Sequence, residues 1–312
     1  MKLSTATGDF SRYIDNIADK VKQYKDLPFK YITLDLTADF PIFTTDDNYA
    51  LKRYADELDN ARSYANVEYV FAHAPVVNPF AELNEIHYTS ILNHIKNSIE
   101  VCHILGVNRI VVHAGSNTEF DYQKFYDANK KFYHNLLPIA EKYNIMILTE
   151  NMHPRPTIEF STGLEMREFL DDMSHPLLAA CWDTAHANLN PNAKEIGEYN
   201  NIIALGNKLK GLHISDNYGR GHQHSWPFSG NINFDEVMQG LIDIKYDGYF
   251  NFEASYTLLH QKNPSGARSN FKHNGQPVTK LSNPTLELKK KAIELLYEIG
   301  KHILTTYDSF EE

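Results

Sequence analysis

Residues 178–188 read LAACWDTAHAN, an apolar run that stops at Asp183 and is followed by His186. Consecutive rather than alternating apolar residues are typical of a strand that is covered on both faces, as in a parallel sheet packed between helices. A charged residue that ends such a strand lies at the carboxyl edge of the sheet. The segment therefore predicts a buried parallel strand that carries Asp183 at its end.

The same pattern occurs eight times along the chain, and amphipathic stretches separate the apolar runs. The predicted strands are residues 2–5, 31–36, 69–72, 109–113, 145–150, 178–183, 209–214 and 249–253. The predicted helices lie near 12–24, 46–65, 87–105, 121–143, 163–172, 194–205, 234–244 and 285–305. Eight strand–helix units in 312 residues fit a closed α/β barrel of the TIM type, (β/α)8, better than an open doubly wound sheet. We expect a single domain over residues 1–312, with a long loop insertion at about 255–283.

Composition limits the classes of partner. Hydrophobic residues make up 42% of the chain, which is enough for a large core, and the net charge of −10 argues against general binding of nucleic acid. We find no apolar run of signal-peptide or membrane-span length, which favours a cytoplasmic protein without a membrane partner. Cys102 and Cys181 fall in apolar stretches, so we expect buried, reduced thiols. Nothing in the composition argues against a homo-oligomer.

Ionisable side chains stand at or next to the ends of the last six predicted strands. They are His73, His113, Glu150, Asp183, His213 and Glu253. Strand ends converge at the mouth of a barrel, so these side chains can meet although they are far apart in sequence. Carboxylates gathered in this way repel one another, and a divalent cation is the simplest compensation. The oxygen-rich set Glu150, Asp183, His213 and Glu253 suits Mn²⁺ or Mg²⁺ and also admits Zn²⁺ or Co²⁺.

The strand-end motifs resemble those of the xylose isomerase-like TIM-barrel superfamily over about residues 2–305. This superfamily contains sugar isomerases and epimerases, inosose dehydratases and family-2 AP endonucleases. The matching motifs are His73-Ala74-Pro75, Glu150-Asn151, Asp183 to Asn188, His213 to Asn217 and Phe252-Glu253. The resemblance implies that Glu150, Asp183, His213 and Glu253 are the metal ligands and that His186 contacts substrate.

The resemblance makes a metal-dependent sugar isomerase or epimerase the leading hypothesis. Proton transfer beside a metal-bound carbonyl, through an enediolate, would use Glu150 and Glu253 as acid and base. The remaining candidates for contacts with a small sugar are His73, His113, His186, His224, Trp182 and Arg268, with Phe228 and Tyr256 as further stacking aromatics.

Three alternatives remain open at this stage. A zinc-dependent AP endonuclease would use His73 and His113 at a first zinc and His186 and His224 at a third. Its Asp-x-His motif reads His222-Gln223-His224 here, so the Asp is missing, and the acidic balance also counts against it. An inosose dehydratase-type lyase shares the same proton chemistry. A barrel that only binds a small molecule is the third alternative.

The loop at 255–283 carries a local positive charge on an acidic protein. Its cations are Lys262, Arg268, Lys272 and Lys280. A loop after the eighth strand lies over the barrel mouth, where such barrels often bind phosphate. One hypothesis is that Arg268 or Lys272 faces an anionic group of the substrate. The other is a surface loop or an oligomer contact.

Overall fold

The computed structural model describes residues 1–45, 47–259, 271–278, 280–281 and 283–312. Eight parallel strands follow one another around a sheet in the order β7-β6-β5-β4-β3-β2-β1-β8. They are β1 (Lys2–Ala6), β2 (Tyr31–Asp35), β3 (Glu68–His73), β4 (Arg109–Val111), β5 (Met146–Glu150), β6 (Leu178–Asp183), β7 (Leu209–His213) and β8 (Tyr249–Phe252).

The sheet closes on itself between β7 and β8. Ile214 and Phe252 form a parallel bridge there. The Ile214 amide donates to the Asn251 carbonyl at 2.8 Å, and the Glu253 amide donates to the Ile214 carbonyl at 3.0 Å. The predicted single (β/α)8 barrel is therefore confirmed.

Helices connect the strands on the outside of the barrel. They are α1 (Ile17–Lys22), α2 (Asn48–Ala65), α3 (Glu85–Leu105), α4 (Tyr122–Tyr143), α5 (Gly163–Met173), α6 (Thr184–Leu189), α7 (Pro191–Ile196), α8 (Glu198–Leu205), α9 (Phe234–Asp243) and α10 (Leu286–Thr306). Short 3-10 helices occupy Thr7–Phe10, Gln23–Asp26, Leu36–Thr44 and Gly206–Lys208. Helix α3 ends at Gly106, whose φ of +72° is the left-handed conformation expected of a C-terminal glycine.

Three local predictions differ from the structure. The helix predicted at 194–205 is two helices, α7 and α8, because Gly197 has a φ of +84° and interrupts the helical hydrogen bonding. The helix predicted from residue 12 begins only after Asn16, whose side chain accepts from the Asp19 amide. The fourth strand ends at Val111, so His113 lies in the loop that follows it.

The barrel interior has an apolar layer beneath the strand-end polar residues. Side chains alternate along a strand, so residues two positions apart point to the same face. The layer consists of Phe71, Val111, Leu148, Ala179 and Cys181, and most of its members lie two residues before a strand-end polar residue. This layer supports the polar residues and excludes water from below. Cys181 and Cys102 are both buried and free, as predicted.

The long insertion contains a small hairpin, β9 (Lys272–His273) and β10 (Gln276–Pro277), whose residues are exposed. Lys262 and Arg268 lie outside the described residues, so the predicted contact of Arg268 with an anion stays a prediction, and Lys272, the other residue predicted for that contact, is exposed on β9. Among the described residues, no helix is both long and apolar enough to cross a membrane.

Candidate metal centre at the carboxyl end of the barrel

The structure brings Glu150, Asp183, His213 and Glu253 together. The first three end strands β5, β6 and β7, and Glu253 follows β8 directly. One ligand atom from each lies within 4.8 Å of those of the other three. Nδ1 of His213 lies 3.0 Å from Oε1 of Glu150 and 3.1 Å from Oε2 of Glu253. This is the set that the sequence predicts as a metal site.

The environment of Asp183 tests whether a cation fits this set. Its Oδ1 accepts from the His186 amide at 2.8 Å and caps α6. Its Oδ2 is buried and has no hydrogen-bond partner among the described residues. The strand end is fixed by Asn151, which accepts from the Asp183 amide at 2.7 Å and donates to the Asp183 carbonyl at 2.9 Å. A buried carboxylate oxygen without a partner is costly, and a cation held by the four side chains would complete it.

A second group of possible ligands shares Glu150. Its Oε2 lies 3.1 Å from Nε2 of His113 and 3.5 Å from Nε2 of His73, while its Oε1 faces His213. The two Nε2 atoms of His73 and His113 are 3.0 Å apart. Nδ1 of His73 lies 2.6 Å from the Ala74 carbonyl, an acceptor that holds the ring proton there. Nε2 of His73 thus keeps its lone pair, and the group can bind a cation of its own.

A third group is built almost entirely from histidines. Nε2 of His222 lies 2.8 Å from Nε2 of His186 and 2.7 Å from Nε2 of His224. The other ring nitrogens of His186 and His224 face the carbonyls of Asn151, at 2.9 Å, and Glu253, at 3.1 Å. The His153 ring centre is 4.4 Å from that of His222. His222, which takes the place of the missing Asp in the motif His222-Gln223-His224, therefore lies beside His186 and His224.

Sequence reasoning missed His153 as a site residue and gave His222 no role. His153 could have been found as a histidine three residues after the carboxylate that ends β5. His222 was considered only as the residue that replaces an Asp, and only the folded loop shows its imidazole turned towards His186 and His224.

The pKa values of the two glutamates are shifted in opposite directions. Burial alone would raise the pKa of Glu150, but His213, His113 and His186 outweigh it and hold this pKa well below its ordinary value. Burial raises the pKa of Glu253, against the opposing influence of His213 and His224. Burial also lowers the pKa of His113 to about 4. At neutral pH these directions favour an ionised Glu150 and a neutral His113, the forms that bind cations, whereas Cys181, Glu150 and Glu253 raise the pKa of His213 against the effect of burial, so a cation would displace its proton.

A cavity of about 270 Å³ opens beside the four-residue group Glu150, Asp183, His213 and Glu253. Its walls include Arg12, Asp35, His73, His213, His222, His224, Glu253 and Tyr256. The side chain of Glu253 is 29% exposed, whereas that of Glu150 is 1% exposed. A ligand in the cavity would therefore meet Glu253 before Glu150. Arg12 comes from the connection between β1 and α1, and Asp35 ends β2; sequence reasoning assigned neither residue to the site.

The structure contradicts the predicted contact of Trp182 with substrate. Trp182 is fully buried, and its Nε1 donates to Oε2 of Glu198 at 2.7 Å. Side chains alternate along a strand, so the residue before the inward-facing Asp183 points to the helix layer instead. Phe228 is exposed and is not among the cavity residues, whereas Tyr256 lines the cavity with its ring centre 5.4 Å from that of His224.

Several characterised and uncharacterised proteins are similar in sequence. The uncharacterized protein MJ1311 of Methanocaldococcus jannaschii is 32% identical over 189 residues, covering 59% of this chain and 64% of that protein. This chain thus spans slightly less than two thirds of that relative's length. A probable endonuclease 4 of Mesoplasma florum is 26% identical over 212 residues, covering 62% and 70%. An L-ribulose 3-epimerase of Methylomonas sp. is 32% identical over 119 residues, covering 38% of each chain.

Solved structures of sugar epimerases share the fold. A D-tagatose 3-epimerase-like protein superposes with a TM-score of 0.71 at 23% identity, covering 99% of this chain and 98% of that one. A D-psicose 3-epimerase, solved in the presence of D-fructose, superposes with a TM-score of 0.71 at 12% identity, covering 97% and 99%. The sequence profile of the xylose isomerase-like TIM barrel matches residues 21–273. The chain belongs to the xylose isomerase-like TIM-barrel family.

Proposed function

We propose that the protein is a metal-dependent sugar epimerase or isomerase. The observation that carries the proposal is the cavity of about 270 Å³, close to the lower end of the range for small-molecule sites (about 300 Å³), which opens directly onto Glu253 and His213. The proposal is also supported by the similarity to an L-ribulose 3-epimerase, although that similarity covers 38% of this chain. The net charge of −10 is in keeping with a neutral or weakly charged substrate.

Glu150, Asp183, His213 and Glu253 would hold the cation. When bound, a divalent metal ion polarises a carbonyl and stabilises negative charge that develops on oxygen during proton removal. The buried Oδ2 of Asp183 supports this assignment because it accepts no hydrogen bond from the described residues.

Glu253 is the proposed proton-transfer group on the cavity side. It borders the cavity, and its raised pKa brings it closer to the range in which a carboxyl group exchanges protons near neutral pH. The second proton-transfer group of the proposal is His73, which lines the cavity: its Nε2 would take the substrate proton and return it, and the ionised Glu150, whose Oε2 lies 3.5 Å from this Nε2, would stabilise the imidazolium. In the proposal Glu253 thus keeps the acid–base role predicted from sequence, whereas Glu150 supports His73 instead of carrying the proton itself.

The remaining cavity residues orient the sugar. His224 and Tyr256 present a ring nitrogen and an aromatic face on one wall, and His186 stands behind His222. Imidazole and phenol groups donate hydrogen bonds to hydroxyls, and an aromatic ring packs against the apolar face of a sugar. These residues supply recognition in the proposal, in place of Trp182.

Substituting the two glutamates tests the proposal. We expect Glu253→Gln to lose at least 100-fold in kcat at saturating metal, because it removes the proton acceptor, and to bind the metal more weakly, because it also removes the charge of one of the four ligands. Glu150→Gln should lose both turnover and metal, because Glu150 is ionised and shared by two ligand groups. Full turnover by Glu253→Gln would remove Glu253 from the proton path. Product analysis by NMR also separates epimerisation and isomerisation from dehydration, which would release water.

A second candidate function is metal-dependent hydrolysis of a phosphodiester. It is favoured by the groups His73–His113–Glu150 and His153–His186–His222, which give the site the capacity for further cations. Two or three metal ions can stabilise the attacking and leaving oxygens of such a reaction. Purified protein assayed on an oligonucleotide with one abasic site tests it. Cleavage that requires more than one metal ion per chain would support hydrolysis, and absence of cleavage by fully loaded protein would exclude it.

A further inference from the structure

A buried lysine underlies the loop that follows β8. Lys289 lies in the first turn of α10, where lysines are normally solvated, yet it is only 1% exposed. Its Nζ donates to the Thr257 carbonyl at 2.6 Å and to the Ser255 carbonyl at 3.2 Å. Burying an ammonium group is costly unless it is hydrogen-bonded and compensated by opposite charge. The position of Lys289 therefore requires a structural or functional reason.

The opposite charge comes from Asp9, in the turn after β1. Asp9 is 1% exposed, and its Oδ2 accepts from the hydroxyls of Thr5 at 2.6 Å and Tyr24 at 3.1 Å. The two charges affect each other: burial lowers the pKa of Lys289 while Asp9 opposes the change, and burial raises the pKa of Asp9 while Lys289 opposes it. Lys289 thus links α10 to the β8 loop by hydrogen bonds, and Asp9 offsets its charge from the turn after β1.

The two carbonyls that Lys289 holds flank a cavity residue. Tyr256 lies between Ser255 and Thr257, and Ser255 and Tyr256 both line the cavity. Glu253 is two residues before Ser255 on the same loop. The Tyr256 amide donates to the His224 carbonyl at 2.9 Å, so the loop is tied to the β7 loop as well. A shift of the Ser255–Thr257 turn would move Tyr256 and Glu253 relative to His224.

We propose that Lys289 is a positioning residue, which holds the β8 loop so that Glu253 and Tyr256 face the cavity. The inference rests on the proposed function for its catalytic consequence, but the loop geometry can be measured without any substrate. No other residue of α10 in the described part of the chain donates a side-chain hydrogen bond to this turn.

The test replaces Lys289 with methionine, which keeps the length of the side chain but has no donor. Lys291→Met is the matched control, since Lys291 is exposed on the same helix. We expect hydrogen–deuterium exchange of the amides at 254–257 to rise at least tenfold in Lys289→Met and to be unchanged in Lys291→Met. For an active sugar, kcat should fall at least tenfold, with a smaller change in KM. Native exchange in a folded Lys289→Met protein would overturn the proposal.

Lys289→Met leaves Asp9 as an unpaired buried charge and can unfold the protein for that reason alone. The double variant Asp9→Asn with Lys289→Met removes both charges. We expect it to regain the melting temperature of the wild type while the 254–257 amides still exchange fast. A double variant with both native stability and native loop exchange would show that Lys289 serves only as the counter-charge of Asp9.

Failure of the Lys289 proposal can be distinguished from failure of the proposed epimerase function. If no sugar is converted by the wild type, the epimerase proposal fails, while amide exchange and Mn²⁺ affinity still decide the role of Lys289. We expect Mn²⁺ affinity to weaken in Lys289→Met, because Glu253 is a proposed ligand on the loosened loop. Conversely, if Lys289→Met keeps sugar turnover and Mn²⁺ affinity at wild-type levels, the positioning role of Lys289 is refuted while the epimerase proposal stands.

Discussion

Asp183 caps a helix and is also one of the four side chains of the candidate metal site. One carboxylate oxygen caps α6 through the His186 amide, and the other is buried without a hydrogen-bond partner among the described residues. An Asn at this position can still cap the helix through its side-chain oxygen, since Asn is as good an N-cap as Asp. It cannot supply the negative charge that a divalent cation requires.

We therefore expect Asp183→Asn to lower the affinity for Mn²⁺ and Zn²⁺ at least 100-fold while the metal-free protein stays folded. Isothermal titration calorimetry measures the affinity, and urea unfolding of the metal-free protein measures stability. The control is Asp35→Asn, which removes a carboxylate that borders the cavity outside the four-ligand group. Equal metal affinity in Asp183→Asn and wild type would remove Asp183 from the site.

Glu198 gives a prediction for pH dependence. Burial raises the pKa of Glu198 to about 8, against the hydrogen bond from Trp182. The ordinary value is 4.5, so between pH 4.5 and 8 the unfolded chain has lost this proton and the folded chain keeps it. Folding then takes up a proton, and this contribution to stability falls as pH rises through that window.

Between pH 6 and 8 the loss from Glu198 is about 2 kcal/mol. Glu198→Gln keeps an acceptor for Trp182 and removes the titration, so its metal-free form should lose correspondingly less stability over this range. Urea unfolding at both pH values tests this, with the exposed Glu195→Gln as control. The assignment is wrong if wild type and Glu198→Gln show the same pH dependence.

Gly163, the first residue of α5, shows how an element is set against its neighbour. A Cβ at this position would lie 2.1 Å from the backbone carbonyl oxygen of Asn201 in α8, and the Gly163 amide donates to Oδ1 of the same residue at 2.9 Å. The helix start is further fixed by a capping box between Thr162 and Glu165. The two helices can approach this closely only because residue 163 has no side chain.

Gly163→Ala should therefore destabilise the protein by about 3 kcal/mol, because backbone rather than a flexible side chain must move. Gly221→Ala is the control, since a Cβ there meets nothing within 4 Å. Denaturant unfolding of both variants gives the comparison. A Gly163→Ala protein as stable as the control would mean that α5 and α8 do not pack as closely as described.

At the level of elements, the sequence predicts strands better than the short helices between them. The strand at Leu178–Asp183 matches its prediction fully, because a short uninterrupted apolar run in an α/β barrel forms a strand that is buried on both faces. Helix α6 was not predicted, and α7 and α8 were predicted as one helix because the break at Gly197 depends on a positive φ that periodicity does not reveal. The burial of Lys289 could not be predicted either, since its hydrogen-bond partners are backbone carbonyls of a loop about 30 residues away in sequence.

At the scale of the whole molecule, closure of the barrel creates the site. Residues separated by about a hundred positions, such as Glu150 and Glu253, meet at His213 because eight parallel strands direct their carboxyl ends to one mouth. The sequence predicted this gathering from the strand ends. The sequence could not predict on which side of its strand or loop each side chain lies. For that reason Trp182 was assigned to substrate contact, and Arg12 and His153 were not included in the predicted site.

The central claim is that the barrel mouth moves a proton on a sugar with the help of a bound cation. The direct measurement is incubation of the metal-loaded protein with D-fructose, D-tagatose or L-ribulose in D2O, followed by NMR. We expect deuterium at the carbon next to the carbonyl together with a new epimer or isomer, both abolished by removing the metal and by Glu253→Gln. Metal-loaded protein that exchanges no carbon-bound proton in these sugars but cleaves abasic DNA would contradict the account.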